Sequence, residues 1–238
     1  MNEVEIVDKF SYYDTLSNLI PGLVFLWALS VLGPFSTSAL TYIFTGNVIV
    51  DPILLLAIAF LTGHLLQFLS KYSVEILIKK LFWDGYYFSE IFLIAAFGKC
   101  NEIEINRYLA FAENDIKIPK NTLDLLRDPH VMTDKKKMET ATSLSHTIYR
   151  ILDANSSDTA KGQKAQLQNI FHSFFRNISL LFLILGILDV FVLIFHFTDS
   201  IFRTMAFASF NFVLTGIFLY QAKQRGEYYV KGLFWSIA

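Results

Sequence analysis

Four stretches of the chain are almost free of charge. No charged residue lies between Asp14 and Asp51 or between Asp51 and Lys71, only Asp189 lies between Arg176 and Asp199, and none lies between Arg203 and Lys223. A helix crossing a hydrocarbon core of about 30 Å needs roughly 20 mostly apolar residues, and each stretch reaches that length. Backbone amides in lipid find no water to pair with, so each stretch is predicted to be a helix. The expected spans are 19–43, 52–70, 178–197 and 204–222. Pro21 and Pro52 stand near helix starts, where a missing N–H is harmless. Gly33-Pro34 predicts a kink or an end to the regular part of the first span. Tyr12, Tyr13, Tyr42, Tyr72, Phe195, Phe197, Phe202 and Tyr220 fall near the span ends, as in an aromatic belt.

Between spans two and three the pattern changes to mixed polar and apolar positions. Lys71 to Lys80 alternates its charged and apolar faces at helical spacing, which extends span two as a helix. Trp83, Tyr86, Tyr87 and Phe88 surround Asp84-Gly85 as an aromatic cluster at a turn. Ile91 to Phe97 is too short to span and is expected to form a buried or interfacial helix. Asn121 is expected to cap a helical turn through Leu123, Leu125 and Leu126 that stops before Asp128-Pro129. Thr133 is expected to cap a helix to about 153, with Ala141, Leu144, Ile148, Ile151 and Leu152 on one face. Ser157 or Asp158 then caps a long helix. Leu167, Ile170, Phe171, Phe174, Phe175 and Ile178 repeat at i, i+3, i+4 and i+7 and run without a breaker into span three. A helix from 159 to 197 would be about 58 Å long. Its stripe needs a partner: helix 138–153, the extension of span two, or another subunit.

The 238-residue composition agrees with this reading: 54% hydrophobic and 17% charged residues, with a mean hydropathy of +0.45. A soluble domain carries about 25% charged residues. The excess excludes a disordered chain, and a single Cys excludes a disulfide scaffold and leaves Cys100 as a reduced thiol. A net charge of −1 supplies no basic field for nucleic acid, so direct nucleic-acid binding is not expected. The first 18 residues are acidic and lack the pattern of a cleaved leader, so span one is expected to be retained. Of 20 Lys and Arg, only Arg203 falls in the two short connections 45–51 and 198–203. Positive charge stays inside, so both termini and the insert are expected in the cytoplasm. The expected fold class is an all-α integral membrane protein with four transmembrane helices and a mostly helical cytosolic insert. The expected divisions are 1–70, 71–176 and 177–238.

Asp189 is the sharpest chemical feature. A carboxyl in mid-span costs roughly 2.5–3.5 kcal/mol on insertion scales, so it must face protein or water. Asp189 and Asn211 each lie about 11 residues from the cytosolic end of their spans, with Ser30 at similar depth in span one. That predicts a polar layer, lining a path or joining helices by hydrogen bonds. His64 and Gln67 are a second polar group, toward the cytosolic end of span two. The five His residues are scattered and Cys100 has no partner, so no metal site is expected. His146 and Arg150 share a helix face, as do His172 and Arg176, but neither pair makes a nucleophile–base–orienter arrangement. No phosphate-loop or dinucleotide pattern is present, and Gly162 opens its helix without a glycine-rich loop. Lys135-Lys136-Lys137, between Asp134 and Glu139, is read as a solvated helix start. No catalytic residue, cofactor or metal is therefore expected.

Three segments carry a resemblance: Tyr12-Tyr13-Asp14-Thr15-Leu16-Ser17-Asn18-Leu19-Ile20-Pro21-Gly22, Phe171-His172-Ser173-Phe174-Phe175-Arg176-Asn177 and Arg225-Gly226-Glu227-Tyr228-Tyr229. Together with the layout they resemble small bacterial four-span proteins, some similar to membrane components of antiviral, abortive-infection operons. The resemblance implies a non-enzymatic effector in the bacterial inner membrane. Its cytosolic insert would sense a protein partner or a nucleotide signal, and a homo-oligomeric bundle would perturb the bilayer or open a pore. Two other readings compete with it. A membrane anchor that docks a cytosolic enzyme would co-purify with its partner and conduct nothing. A small ion channel or transporter with Asp189 in its path would conduct without a trigger.

Overall fold

The computed structural model describes residues 15–32, 46–156, 159–195 and 201–236, and every regular element among them is helical. A π-helical turn, Thr15–Leu19, leads into α1 (Ile20–Leu32). The helices α2 (Val50–Tyr72), α3 (Val74–Phe82), α4 (Phe88–Ile91), α5 (Glu102–Asn114), α6 (Lys120–Arg127), α7 (Lys135–Asn155), α8 (Ala160–Ile194) and α9 (Ile201–Ser236) follow. Three of the described helices are long and apolar enough to cross a membrane: Val50–Phe82, with α2 and α3 taken together, Ala160–Ile194 and Ile201–Ser236. A shorter apolar helix covers Thr15–Leu29. Residues 33–45, including Gly33-Pro34 and the second half of the expected first span, lie outside the described residues.

The chain divides into two compact units. One comprises 1–77 and 170–224, the other 78–169 and 225–238. In the first, Ala28 of α1 and Ile178, Leu181 and Leu185 of α8 form the core, with Phe25, Phe174, Phe182 and Phe218 against it. The outer faces stay apolar: Leu61, Leu65 and Phe68 on α2, Ile187 and Phe191 on α8, and Phe210, Val213 and Ile217 on α9 are all exposed. In water such a surface would be unstable; in a bilayer it is the lipid contact.

Small residues let α1 and α2 meet backbone to backbone. A Cβ placed on Gly22 would stand 1.8 Å from the Ala59 carbonyl oxygen, and one on Gly63 would stand 1.9 Å from the Asn18 carbonyl oxygen. Helix association in lipid depends on such close approach, because lipid tails compete for apolar side chains. Gly63→Val is therefore expected to force the two backbones apart and to cost about 1–3 kcal/mol or more. A thermal melt in detergent checks this, and an unchanged midpoint would rule out the crossing.

The second unit is built around aromatic rings. Phe234 of α9 packs at a tilt against Phe92 and against Tyr108 of α5, each at 5.0 Å between centroids, and Trp83 lies 5.9 Å from Phe88. The Trp83 indole donates to Glu227 at 3.2 Å, and the Ser145 hydroxyl of α7 donates to the Ser89 carbonyl at 2.8 Å. Asp84 and Gly85 take positive φ values of 54° and 88° and make the expected turn.

Several local expectations need correction. Ile91 to Phe97 is not one helix. Ile91, Phe92, Leu93 and Ile94 are all buried. Four successive residues point all around a helix, so a half-buried helix cannot hide them. The backbone instead ends α4 at Ile91 and turns extended at Ile94 before a 3₁₀ turn, Ala95–Phe97. Asn121 does not cap α6. The cap position is Pro119, and the Asn121 side chain accepts only locally, from the Thr122 amide at 3.0 Å. The helix does stop before Asp128-Pro129. Asp134, not Thr133, caps α7, accepting from the Lys136 and Lys137 amides at 2.9 and 3.3 Å. The Thr133 hydroxyl is spent on the His130 carbonyl one turn earlier. For α8 the cap among the described residues is Thr159, which accepts from the Gly162 amide at 2.9 Å; Ser157 and Asp158 lie outside them. The long helix itself is present as 35 residues, about 52 Å. The upper part of its stripe is covered by the chain's own spans, with Phe174 in the core beside α1 and Phe175 stacked on Phe218 of α9, while Leu167 stays exposed. These positions therefore need no second subunit.

Candidate functional site

α8 and α9 run antiparallel. Asp189, Phe182 and His172 on α8 meet Asn211, Phe218 and Ala222 on α9 in opposite chain order. Two polar contacts tie them within the apolar windows. The Ser179 hydroxyl donates to the Thr215 carbonyl at 3.0 Å, and the Asn211 amide donates to an Asp189 carboxylate oxygen at 2.8 Å. Asn211 is 2% exposed, and Asp189 is half-buried. Among the described residues, Asn211 is the one hydrogen-bond partner of the Asp189 side chain. Equal depth along two neighbouring helices thus brings these two predicted residues together. Of the other three, Ser30 has its side chain outside the described residues. His64 is exposed and packs edge-on against Phe60 at 4.4 Å. The Gln67 backbone carbonyl accepts from the Ser70 hydroxyl at 3.0 Å.

A second polar cluster, which the sequence analysis missed, joins four helices. Glu75 of α3 accepts from the Arg176 guanidinium at 2.7 Å and lies 3.2 Å from His172 Nε2. His172 Nδ1 faces the Ala222 carbonyl at 2.7 Å, so that nitrogen must carry a proton. Arg176 Nε donates to the Ser70 hydroxyl at 3.1 Å, and that hydroxyl donates to Asn177 Oδ1 at 2.5 Å. Asn177 Nδ2 then donates to the Ser17 carbonyl at 2.6 Å. Residue 21, four places after Ser17, is a proline without an N–H, and Ser17 itself lies in the π-helical turn. Glu75, His172, Arg176, Asn177, Ser70 and Ser17 are all buried. Burying a carboxylate and a guanidinium is tolerated only when they are paired and their remaining groups satisfied, which this arrangement achieves. The sequence signal was the i, i+4 pair His172 and Arg176. Its carboxylate partner stands about 100 residues away, where spacing alone cannot find it.

Two further side chains bear on chemistry. The Ser89 hydroxyl lies 3.2 Å from His146 Nδ1, the one nucleophile-like pairing in the second unit that the described hydrogen bonds give. Ser89 is 6% exposed. Burial, with the Glu104 carboxylate 3.5 Å from its sulfur, pushes the Cys100 thiol up to about 12. The reactive thiolate is then scarce at pH 8. Cys100 is expected to react with iodoacetamide at least tenfold more slowly in the folded protein than after denaturation, as mass spectrometry of timed samples would read.

Comparison with known proteins finds no matching family model, no matching curated protein and no matching solved structure. The functional reading therefore stands on the chain's own residues.

Proposed function

We propose that the protein is a non-enzymatic effector of the bacterial inner membrane, acting in antiviral defence as a homo-oligomer that couples a cytosolic partner or signal to opening of the bilayer. The reading takes four spans, with both termini and the insert 71–176 in the cytoplasm. The observation that carries it is the surroundings of Asp189. A half-buried carboxyl amid apolar surface, held by one amide, leaves lone pairs that lipid cannot satisfy. Water in a path, or the same face of another copy, can satisfy them. A single small bundle encloses little interior, so a water path calls for several copies in a closed ring. The defence role rests on the resemblance of the three segments quoted above.

Orientation and assembly test this reading together. In a Cys100→Ser background, single cysteines at the exposed positions Val48 and Ile103 are exposed to an impermeant maleimide on intact cells. Val48→Cys is expected to label and Ile103→Cys to stay unlabelled until the membrane is opened. Labelling of Ile103→Cys in intact cells would overturn the orientation. Native mass spectrometry from lipid nanodiscs is expected to give a closed oligomer of about four copies, and a clean monomer would overturn the pore.

A further inference from the structure

The beginning of α8 and the end of α9 enclose a cleft of about 380 Å³ in the second unit. Its floor exists because two small residues meet: a Cβ on Gly232 would stand 3.0 Å from the Ala165 Cβ. Its rim is cationic. Lys161 and Lys164 come from α8 and Arg225 from α9, and among the described residues no carboxylate lines the cleft. The described acids nearby are engaged elsewhere, Asp153 with Gln166 and the Tyr229 hydroxyl, and Glu227 with Trp83. Arg225 is aimed by a 2.9 Å hydrogen bond from Nη1 to Gln168.

The placement of the lysines is unfavourable on its own terms. The first turn of a helix carries partial positive charge and favours acids, yet the first turn of α8 holds no acid and carries Lys161 as its second residue. Lys164 follows at i+3, close enough to repel it. Neither lysine has an ion pair among the described residues. An anion in the cleft would turn each of these costs into a gain. Beside the cations stand Tyr228 and Trp235, two ring-bearing walls about half exposed at 49% and 48%. The volume lies within the range of small-molecule sites, roughly 300–1,000 Å³.

We propose that this cleft is a binding site for a phosphate ester, the anionic group seated among Lys161, Lys164 and Arg225 and its flat or apolar remainder against Tyr228 and Trp235. A nucleotide and an anionic phospholipid headgroup both present that chemistry. The proposal does not depend on the effector reading above.

The test uses the full chain in uncharged detergent, wild type against the Lys161→Gln/Lys164→Gln double variant. Both side chains are exposed, so the variant is expected to fold, and an unchanged melting temperature without ligand verifies this. One arm adds AMP, GMP, UMP or ATP and measures affinity by calorimetry. The other adds short-chain phosphatidylglycerol, with phosphatidylcholine as the neutral control, and counts bound lipid by native mass spectrometry. Binding in one arm that weakens at least about tenfold in the double variant supports the site and identifies the source as soluble or lipid. Absence of binding in both arms, or equal binding by wild type and variant, overturns it. A third protein, Gly232→Leu, fills the floor without touching charge. Full retention of binding there would likewise overturn the cleft as the location.

Discussion

Replacing Arg176 by Leu is expected to destabilise the protein by about 3–5 kcal/mol, because it leaves the Glu75 carboxylate buried without its guanidinium partner. Glu75 and Arg176 side chains are 10% and 9% exposed, so water cannot take the place of the lost group. The same change strips a donor from Ser70, which anchors Asn177. Glu75→Leu is expected to be comparably damaging, since it buries an unpaired cation. The informative protein is the double variant Glu75→Leu/Arg176→Leu. Removing both charges removes the desolvation cost as well, so the double is expected to be more stable than either single. Denaturant titration of all four proteins in detergent gives the coupling. A double variant that loses the sum of the two single losses would mean that the pair is not formed.

Asp189→Asn is expected to leave assembly intact and to reduce cation passage. In a water-filled path one charge about 4 Å from the ion contributes about 1 kcal/mol, about fivefold in local cation occupancy for each copy. Asp189→Leu is expected to abolish passage, because no polar group remains to hold water beside Asn211. Asn211→Leu is the companion control, removing the donor while keeping the carboxyl. Depolarisation of induced cells, read with a potential-sensitive dye, follows passage, and native mass spectrometry follows assembly. Full depolarisation by both Asp189 variants would reduce the residue to a joint between α8 and α9. Loss of assembly in Asp189→Asn would show instead that its charge is structural.

Three of the apolar windows were legible as helices long enough to span, because lipid imposes one rule on every residue of a span and composition alone reveals obedience to it. The Asp189–Asn211 pair was legible for a related reason: depth within a span can be counted from its charged end, so two polar groups at one depth on neighbouring helices are predictable partners. Helix α8 was legible from its unbroken stripe. The partner of that stripe was not, since several faces could have covered Phe174 and Phe175. Caps failed where adjacent residues compete for one role, as Thr133 and Asp134 do, and the loser found another acceptor in His130. The break at Ile94 failed because a run of apolar residues has no period to read. The Glu75 cluster failed for lack of register, since the two partners lie 101 positions apart in the chain.

Asn177 answers the Ser17 carbonyl across 160 residues of chain. Translation at about 5–20 residues per second separates the two by roughly 8–32 s. Throughout that interval the Asn177 amide that donates to this first turn does not yet exist. The bond between the π-helical turn and α8 can form only once most of the chain has been made. A contact of such long sequence separation ties the front of the chain to its back and closes late in synthesis.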